Sequence, residues 1–178
     1  MTVVYILGAA VLLGALYAFF RTFGRAYWRF RGTRVITCPE TEQVAAVHVD
    51  AKKAAFAALR GGHSLTLRSC TDWPERSGCG QGCLEQIEVA PEGCLVRTML
   101  ANWYEGKKCA LCSKPIETLE WYRHKPALMD SERRTFELRE IPAEKLPEVL
   151  QTHHPVCWNC HVIESLCRKY PDRVVYRS

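Results

Sequence analysis

The sequence predicts an α+β protein with a single N-terminal transmembrane helix and two small cysteine-containing units. Three observations lead to this prediction: an uncharged apolar run at the amino end, alternating and helical apolar patterns behind it, and 10 Cys among 178 residues. We therefore divide the chain into a transmembrane anchor, a basic aromatic juxtamembrane segment, a small α+β unit and a C-terminal unit, which span residues 1–21, 22–34, 35–105 and 106–178.

The transmembrane prediction rests on residues 3–20, which read VVYILGAAVLLGALYAFF and contain no charged side chain. In a helix that rises about 1.5 Å per residue, this run covers roughly 27 Å, which is enough to cross a hydrocarbon core. A secretory signal peptide carries Lys or Arg ahead of its apolar run, whereas no basic side chain precedes this one. We therefore expect residues 3–20 to lie in the lipid bilayer.

The segment behind the apolar run is rich in arginine and aromatic residues and contains no acidic residue. These residues are Arg21, Arg25, Arg29, Arg31 and Arg34, with Phe23, Tyr27, Trp28 and Phe30 between them. Because arginine-rich flanks stay on the cytoplasmic side, we predict an external N-terminus and a cytoplasmic body, in a single-pass protein of a bacterial inner membrane. Anionic lipid headgroups near Arg21 to Arg34 are the expected partners of these charges.

The excess of positive charge is confined to this flank. The chain has 24 Lys+Arg and 19 Asp+Glu, and its first 34 residues contain five Arg and no acid. The remaining chain therefore has equal numbers of basic and acidic residues. Since nucleic-acid binding needs a basic face on the folded body, the neutral body disfavours nucleic acid and favours another membrane-associated protein as the partner.

Cysteine is the second unusual feature of the composition. Because the cytosol keeps thiols reduced, we interpret the cysteines as metal ligands and not as a disulfide framework. The clearest pattern is a pair of C-x-x-C turns, Cys109–Cys112 and Cys157–Cys160, with 44 residues between them. A C-x-x-C turn, here called a knuckle, places two thiolates on one metal ion, so the two knuckles predict a shared tetrahedral zinc site.

The same residues allow two other interpretations. Cys157, Cys160 and His161 read C-x-x-C-H, the attachment pattern of a c-type haem with the histidine as axial iron ligand. This interpretation requires a location outside the cytoplasm, against the arginine distribution, and leaves Cys109 and Cys112 without a role. Alternatively, the cysteines are buried as small apolar side chains without a metal.

The first half of the body is predicted to be a β-β-α-β unit. Residues 34–38 and 44–49 are short apolar runs typical of strands. Residues 51–60 carry alanine and leucine at helical spacing, with Asp50 in position to cap the helix. Residues 63–70 alternate between apolar and polar side chains, which predicts the third strand.

A second set of cysteines belongs to this half. Cys38 and Cys70 end two of the predicted strands, and Cys79 and Cys83 lie in the turn-rich segment TDWPERSGCGQGC. Glycines beside the thiols let the backbone fold tightly around a metal, and a helix is expected to begin near Cys83. The set indicates a second zinc site, with an iron–sulfur cluster and unligated thiols as alternatives.

Other residues with reactive side chains are assigned structural roles. His48 and His63 lie in or beside predicted strands, where a lone histidine is typically a hydrogen-bonded structural residue. Cys94 has no neighbouring thiol and is expected in the core. It opens a segment up to Tyr104 whose apolar residues recur at helical spacing, which predicts a packing face.

The C-terminal unit is predicted to form a knuckle, a hairpin and a helix. Residues 119–128 and 134–141 flank a polar turn and predict the hairpin, and 142–151 is a short helical segment interrupted at Pro147. The final helix is expected over 159–169. Its predicted apolar face consists of Val162, Ile163, Leu166 and Tyr170.

This order of elements resembles the treble-clef class of zinc fingers and zinc-ribbon-like units, over residues 108–170. The resemblance implies four zinc ligands: Cys109, Cys112, Cys157 and Cys160. It places His161 in the first turn of the last helix, as an outer-shell or exposed residue. We expect His153 and His154 at the surface and Cys167 in the core.

The sequence contains no G-x-S-x-G, no phosphate-binding glycine loop and no H-E-x-x-H pair. Zinc held by four thiolates is coordinatively closed, which disfavours hydrolytic chemistry. We therefore expect a non-enzymatic, membrane-anchored, cytoplasm-facing zinc-binding adaptor or accessory subunit of a membrane complex. The alternatives are an electron-transfer protein with a c-type haem or an iron–sulfur cluster, and a thiol-based redox sensor.

Overall fold

The computed structural model describes residues 2–62, 64–76, 78–116, 119, 121 and 125–173. Contacts divide the chain into two compact units, Met1–Val96 and Arg97–Ser178. Both units contain helices and strands, in agreement with the predicted mixed fold class. The sequence analysis places the boundary between the two units after residue 105, whereas the contacts place it after Val96. The division into functional domains stays a prediction.

The first unit begins with one long helix, α1 (Thr2–Phe30), which continues without a break from the apolar run into the arginine-rich segment. None of its described residues is buried. The helix is long and apolar enough to span a membrane, a criterion of length and composition that an N-terminal signal sequence also satisfies. The orientation of the helix stays a prediction.

Behind α1 the chain forms a three-stranded antiparallel sheet. Its strands are β1 (Thr33–Thr37), β2 (Val44–Val49) and β3 (Leu67–Cys70), which pair in that order. Helix α2 (Ala51–Leu59) connects the second strand to the third, so the predicted β-β-α-β order is present. Asp50 caps α2 as expected, because its carboxylate accepts a hydrogen bond from the Lys53 N–H at 3.0 Å.

The third strand is shorter than the predicted 63–70. Residues 64–66 are not part of it, and His63 lies outside the described residues. The pairing register shifts between His48 and Val49, so Arg68 is an extra residue between the pairs Leu67–Val49 and Ser69–His48. An irregularity of this kind depends on the partner strand, so alternation within one segment does not reveal it.

The core of the first unit lies between the sheet and α3 (Cys83–Val89). Ile36, Val47 and Ile87 belong to one buried cluster, which provides apolar burial without any contribution from a metal. Cys94 packs against this cluster, as the sequence predicts for a core residue.

Arg34 is not one of the lipid-facing arginines, contrary to the prediction. It is completely buried, because it lies in β1 and its side chain reaches back to the end of α1. The guanidinium donates hydrogen bonds to the carbonyl oxygens of Phe30 at 2.8 Å, Gly32 at 3.3 Å and Arg29. These bonds satisfy carbonyl groups that the last turn of a helix leaves without partners. Arg34 therefore holds the end of α1 to the sheet.

The second unit is built around a small sheet. After α4 (Val96–Tyr104), the elements are β4 (Ala127–Met129), β5 (Thr135–Glu137), α5 (Leu146–Thr152), β6 (His154–Val156) and α6 (Trp158–Lys169). The strands pair antiparallel in the order β5-β4-β6, so β4 is central. Short 3-10 turns occupy Leu138–Glu140, Ala143–Lys145 and Pro171–Arg173.

The predicted hairpin of this unit is present with shorter strands. β4 and β5 pair only from Ala127 opposite Glu137 to Met129 opposite Thr135. Residues 120 and 122–124 of the first predicted strand lie outside the described residues. The prediction for Pro147 was wrong: it lies in the first turn of α5, where its missing N–H costs no hydrogen bond.

The apolar face predicted for the last helix is mostly exposed. Ile163 and Leu166 are 60% and 52% exposed, and Tyr170 is 42% exposed. His161 is buried instead and contacts Thr135 of β5 through a hydrogen bond. A polar contact to the sheet sets the rotation of α6, and apolar periodicity carries no information about such a contact.

We expect Arg34→Met to lower the stability of the full-length protein by on the order of 3 kcal/mol, because the carbonyl groups at the end of α1 lose their charged donor. Arg25→Met, at an exposed position of the same helix, is the matched control and should change stability by less than about 0.5 kcal/mol. Denaturant unfolding in detergent, followed by circular dichroism, compares the two variants. Equal unfolding midpoints would show that Arg34 does not hold α1 to the sheet.

Candidate metal centre

The first knuckle is a tight turn between α4 and β4. The Cys109 N–H donates to the Lys114 carbonyl at 2.9 Å, and the Ser113 N–H donates to the Cys109 carbonyl at 2.9 Å. Ser113 has a φ of 58°, a left-handed conformation that reverses the chain directly after Cys112. The turn is therefore closed by its own backbone before any metal is considered.

The second knuckle forms the beginning of α6. Cys157 is the N-cap residue, with extended backbone at φ −72° and ψ 151°, and its carbonyl accepts the His161 N–H at 3.1 Å. Cys160 is consequently the third residue of the first helical turn. N-cap and third-residue side chains lie on the same side of a helix start, so both thiols are presented together.

Two hydrogen bonds hold the first knuckle against the second knuckle and the strand that precedes it. The Ala110 N–H donates to the Pro155 carbonyl at 2.9 Å, which ties the first knuckle to β6. The Cys157 N–H donates to the Cys109 sulfur at 3.3 Å. Beneath the knuckles lies a buried apolar cluster of Cys109, Ala127, Met129 and Val156.

As a result, the sulfur atoms of Cys109, Cys112, Cys157 and Cys160 all lie within 4.8 Å of one another. The Cys112 and Cys157 sulfurs are 3.8 Å apart. A tetrahedral site with zinc–sulfur bonds of about 2.3 Å has sulfur–sulfur edges of about 3.8 Å, so this separation fits one shared ion. The predicted grouping of the four cysteines is confirmed, and the cluster is suited to a metal ion such as zinc.

The electrostatics of the cluster differ from one thiol to the next. Burial favours the neutral form of Cys109, but hydrogen bonds from the backbone N–H groups of Cys157, Cys112 and Leu111 outweigh it and lower the pKa to about 6. Burial raises the pKa of Cys157 and of Cys160, and the neighbouring Cys109 thiolate adds to both increases. Four thiolates at this distance repel one another strongly, and a divalent cation offsets that repulsion.

A polar network fixes α6 beside the cluster. Thr135 donates its hydroxyl proton to Glu164 and lies 2.8 Å from Nδ1 of His161. Because a hydroxyl has a single proton, Nδ1 of His161 carries the proton of this second hydrogen bond. Arg168 completes the network through an ion pair with Glu164 at 3.5 Å. His161 therefore holds the helix that carries Cys160, and it is buried, not exposed. No sequence spacing connects Thr135 with His161.

The histidine predicted as structural in the first unit is hydrogen-bonded as expected. Nε2 of His48 lies 2.9 Å from the Thr33 hydroxyl, and Nδ1 lies 3.1 Å from the Ser69 hydroxyl. Burial lowers the pKa of His48, which favours the neutral ring in these contacts. The corresponding prediction for His63 falls outside the described residues.

The other histidine and cysteine positions predicted for the second unit are not part of the four-sulfur cluster. His154 is exposed, as predicted, and His153 is half-buried with its ring 5.2 Å from that of Phe136. Cys167 is half-buried in α6 and is not a member of the four-sulfur group.

The second predicted set of cysteines is not grouped in the same way. Within the described ranges, the Cys109 set is the only group of three or more metal-binding side chains with ligand atoms within 4.8 Å of one another. Cys83 is buried and Cys38 and Cys70 pack against the same core, while Cys79 lies in a turn. Metal binding by this set stays a prediction.

Comparison of the chain with protein-family models, curated proteins and solved structures found no match. The fold and the site therefore define the class of protein by themselves. It is a mixed helix-and-sheet protein with a four-cysteine cluster able to hold a metal ion and an N-terminal helix able to span a membrane.

We expect Cys112→Ser and Cys160→Ser each to unfold the second unit. Metal binding at such a site contributes on the order of 10 kcal/mol to folding, which is comparable to the whole stability of a small domain. Limited proteolysis of the full-length variants in detergent should digest the chain from about residue 97 onward and leave the first unit resistant.

Cys167→Ser is the matched control, because it changes a half-buried cysteine of the same unit outside the cluster. It should leave the proteolytic pattern unchanged. If the second unit of Cys112→Ser resists protease as well as that of Cys167→Ser, the cluster does not hold the unit together.

Proposed function

We propose that this protein is a membrane-anchored, cytoplasm-facing zinc-binding adaptor or accessory subunit of a membrane complex, without enzymatic activity. The observation that carries the proposal is the grouping of four cysteine sulfurs within 4.8 Å in a chain whose first helix is able to span a membrane. The remaining support comes from the donor set, the element order and the exposed surface.

Zinc is the metal that this donor set favours. Four cysteine sulfurs without any oxygen ligand disfavour magnesium and calcium, whereas tetrahedral thiolate sites are typical of zinc. The N–H groups directed at the Cys109 sulfur stabilise a thiolate without contributing another ligand. Since all four coordination positions are taken by protein, the ion has a structural role.

The arrangement of elements around the cluster supports a treble-clef-like unit. The first knuckle lies in a turn, β4 and β5 form a hairpin, and α6 brings the second knuckle in its first turn. The third strand, β6, is an addition that pairs with β4 and leads directly into Cys157. We assign the second unit to this class on the element order and the ligand set.

An exposed apolar stripe supports the adaptor role. Ile163, Leu166 and Tyr170 recur at helical spacing along α6, and each is at least 42% exposed. Large apolar side chains grouped on the surface of a small domain often mark contacts with other proteins. The neutral charge of the body fits a protein partner better than a nucleic acid.

The arginines of α1 support a cytoplasmic body. Arg21, Arg25 and Arg29 follow the apolar run at intervals of about one helical turn, and all three are exposed. On an unbroken helix they leave the bilayer together, where anionic headgroups on the cytoplasmic side attract them. This arrangement favours an external N-terminus.

We expect full-length protein isolated from membranes to be colourless and to hold at least one tightly bound zinc per chain, since zinc thiolate sites do not absorb visible light. Elemental analysis and an absorption spectrum check both points. The two electron-transfer alternatives, a c-type haem on Cys157 and Cys160 or an iron–sulfur cluster, are coloured. A Soret band that survives acid–acetone extraction, or a preparation without zinc, would overturn the proposal.

The redox-sensor alternative is tested on the same preparation. The lowered pKa of Cys109 favours its thiolate, which is the form of cysteine that oxidants attack. Oxidation of a zinc ligand releases the ion. Zinc release at low peroxide doses would assign a regulatory role to the cluster, and retention of zinc would support a purely structural one.

Membrane orientation is tested with protease added to spheroplasts or to inverted vesicles of cells that produce the full-length chain. We expect the body to be protected in spheroplasts and digested in inverted vesicles, because its arginine flank stays in the cytoplasm. Mass analysis of the mature N-terminus serves as the control for cleavage of the apolar helix. Digestion in spheroplasts, or loss of residues 3–20 from the mature protein, would contradict the assignment.

A further inference from the structure

Cys38 and Cys70 lie toward the same end of the first-unit sheet. β1 and β3 each pair antiparallel with β2, so they run parallel to each other and their carboxyl ends point the same way. Cys38 directly follows β1, and Cys70 is the last residue of β3. β1 extends three residues farther along β2, because Thr37 lies opposite Val44 and Cys70 lies opposite Val47. A hydrogen bond from the Cys38 N–H to the Gln43 carbonyl, at 2.8 Å, closes the turn after β1.

A side-chain amide holds Cys83 beside Cys38. Nε2 of Gln86 donates to the Thr37 carbonyl at 2.7 Å, and its Oε1 accepts the Thr37 N–H at 3.3 Å. Thr37 immediately precedes Cys38, and Gln86 lies one helical turn after Cys83 in α3. The two hydrogen bonds therefore fix the first turn of α3 against the end of β1.

The loop that leads into α3 is tied to the Cys38 turn. The Gly80 N–H donates to Oε1 of Glu40 at 3.2 Å. Gly82 lies so close to Pro39 that an added Cβ would come within 3.4 Å of the proline Cγ. Both contacts bring the loop from Cys79 to Cys83 against the residues that follow Cys38.

The same loop is also tied to the third strand. Gln81 adopts a left-handed conformation with φ 53°, and its side-chain Oε1 accepts the Leu67 N–H of β3 at 3.0 Å. The loop is thus held by both of the strands that carry Cys38 and Cys70. These contacts bring the loop with Cys79 and Cys83 toward the strands that lead to Cys38 and Cys70.

Three of the four cysteines share one apolar environment. Cys83 is buried in the core, with Cys38 and Cys70 packed against the same apolar cluster. Apolar packing accounts for these three cysteines, but it does not account for the hydrogen bonds that tie the loop with Cys79 to the same strands.

We propose that Cys38, Cys70, Cys79 and Cys83 bind a second zinc ion, so that each unit has its own four-thiolate site. No three of these four sulfurs lie within 4.8 Å of one another, so binding requires at least two of the ligands to move. Cys79 is able to move, because added Cβ atoms at Gly78 and Gly80 would meet nothing within 4 Å and glycine tolerates many conformations. On binding, the protonated thiols lose their protons to solvent, and Zn²⁺ takes four thiolates with a net charge of −2.

The test is the number of zinc ions bound per chain, measured by elemental analysis of full-length protein in detergent. We expect two zinc ions in the parent protein, one in Cys79→Ser and one in Cys112→Ser. Cys79 is the chosen ligand because it lies in a turn outside the core, so the first unit keeps its packing. Cys94→Ser is the matched control in the same unit and should retain two ions.

A parent protein with one zinc, or a Cys79→Ser variant with the zinc content of the parent, would overturn the second site. Iron with acid-labile sulfide in place of the second zinc would also overturn it, in favour of a cluster. These outcomes are distinguishable from failure of the proposed function, because only Cys112→Ser reports on the second-unit ion. If the zinc content falls in Cys112→Ser but not in Cys79→Ser, the second site is rejected and the proposed function remains intact.

Discussion

The second unit depends on the contact between two short turns that are separated by 44 residues of sequence. Closing a loop of this length costs roughly 3 kcal/mol of chain entropy or more. Pairing over three residues in each strand of the sheet and a small buried apolar cluster offset little of this cost. A metal ion held by all four sulfurs contributes on the order of 10 kcal/mol, which exceeds the cost of closure.

Other elements of this unit pack around the closed turns. The Tyr104 hydroxyl donates to the Ala127 carbonyl of β4, and Nε1 of Trp103 donates to the Leu150 carbonyl at 2.9 Å. These bonds place α4 and α5 around the sheet whose edge strand leads into the second knuckle. The first unit differs, because its buried cluster between α3 and the sheet provides apolar stabilisation of its own. A metal there would add to an existing core, whereas a metal bound by the second unit would close its fold.

Patterns that depend on neighbouring residues could be predicted from the sequence. β2 matches the predicted 44–49, and the C-x-x-C spacing correctly groups Cys109 with Cys112. Features that depend on distant partners could not be predicted: the burial of Arg34 is decided by carbonyl groups at the end of α1, and the rotation of α6 is decided by Thr135. The convergence of the two knuckles could be predicted from the sequence, because a structural zinc ion requires four ligands. This requirement does not depend on the fold of the residues between the knuckles.

The central claim is that four thiolates and one zinc ion close the second unit, and X-ray absorption at the zinc edge of the full-length protein tests it most directly. The account predicts a first shell of four sulfur atoms at about 2.3 Å, without nitrogen or oxygen. A second ion bound by the cysteines of the first unit would leave this average unchanged. A shell with fewer than four sulfurs, or with nitrogen or oxygen ligands, would contradict the account.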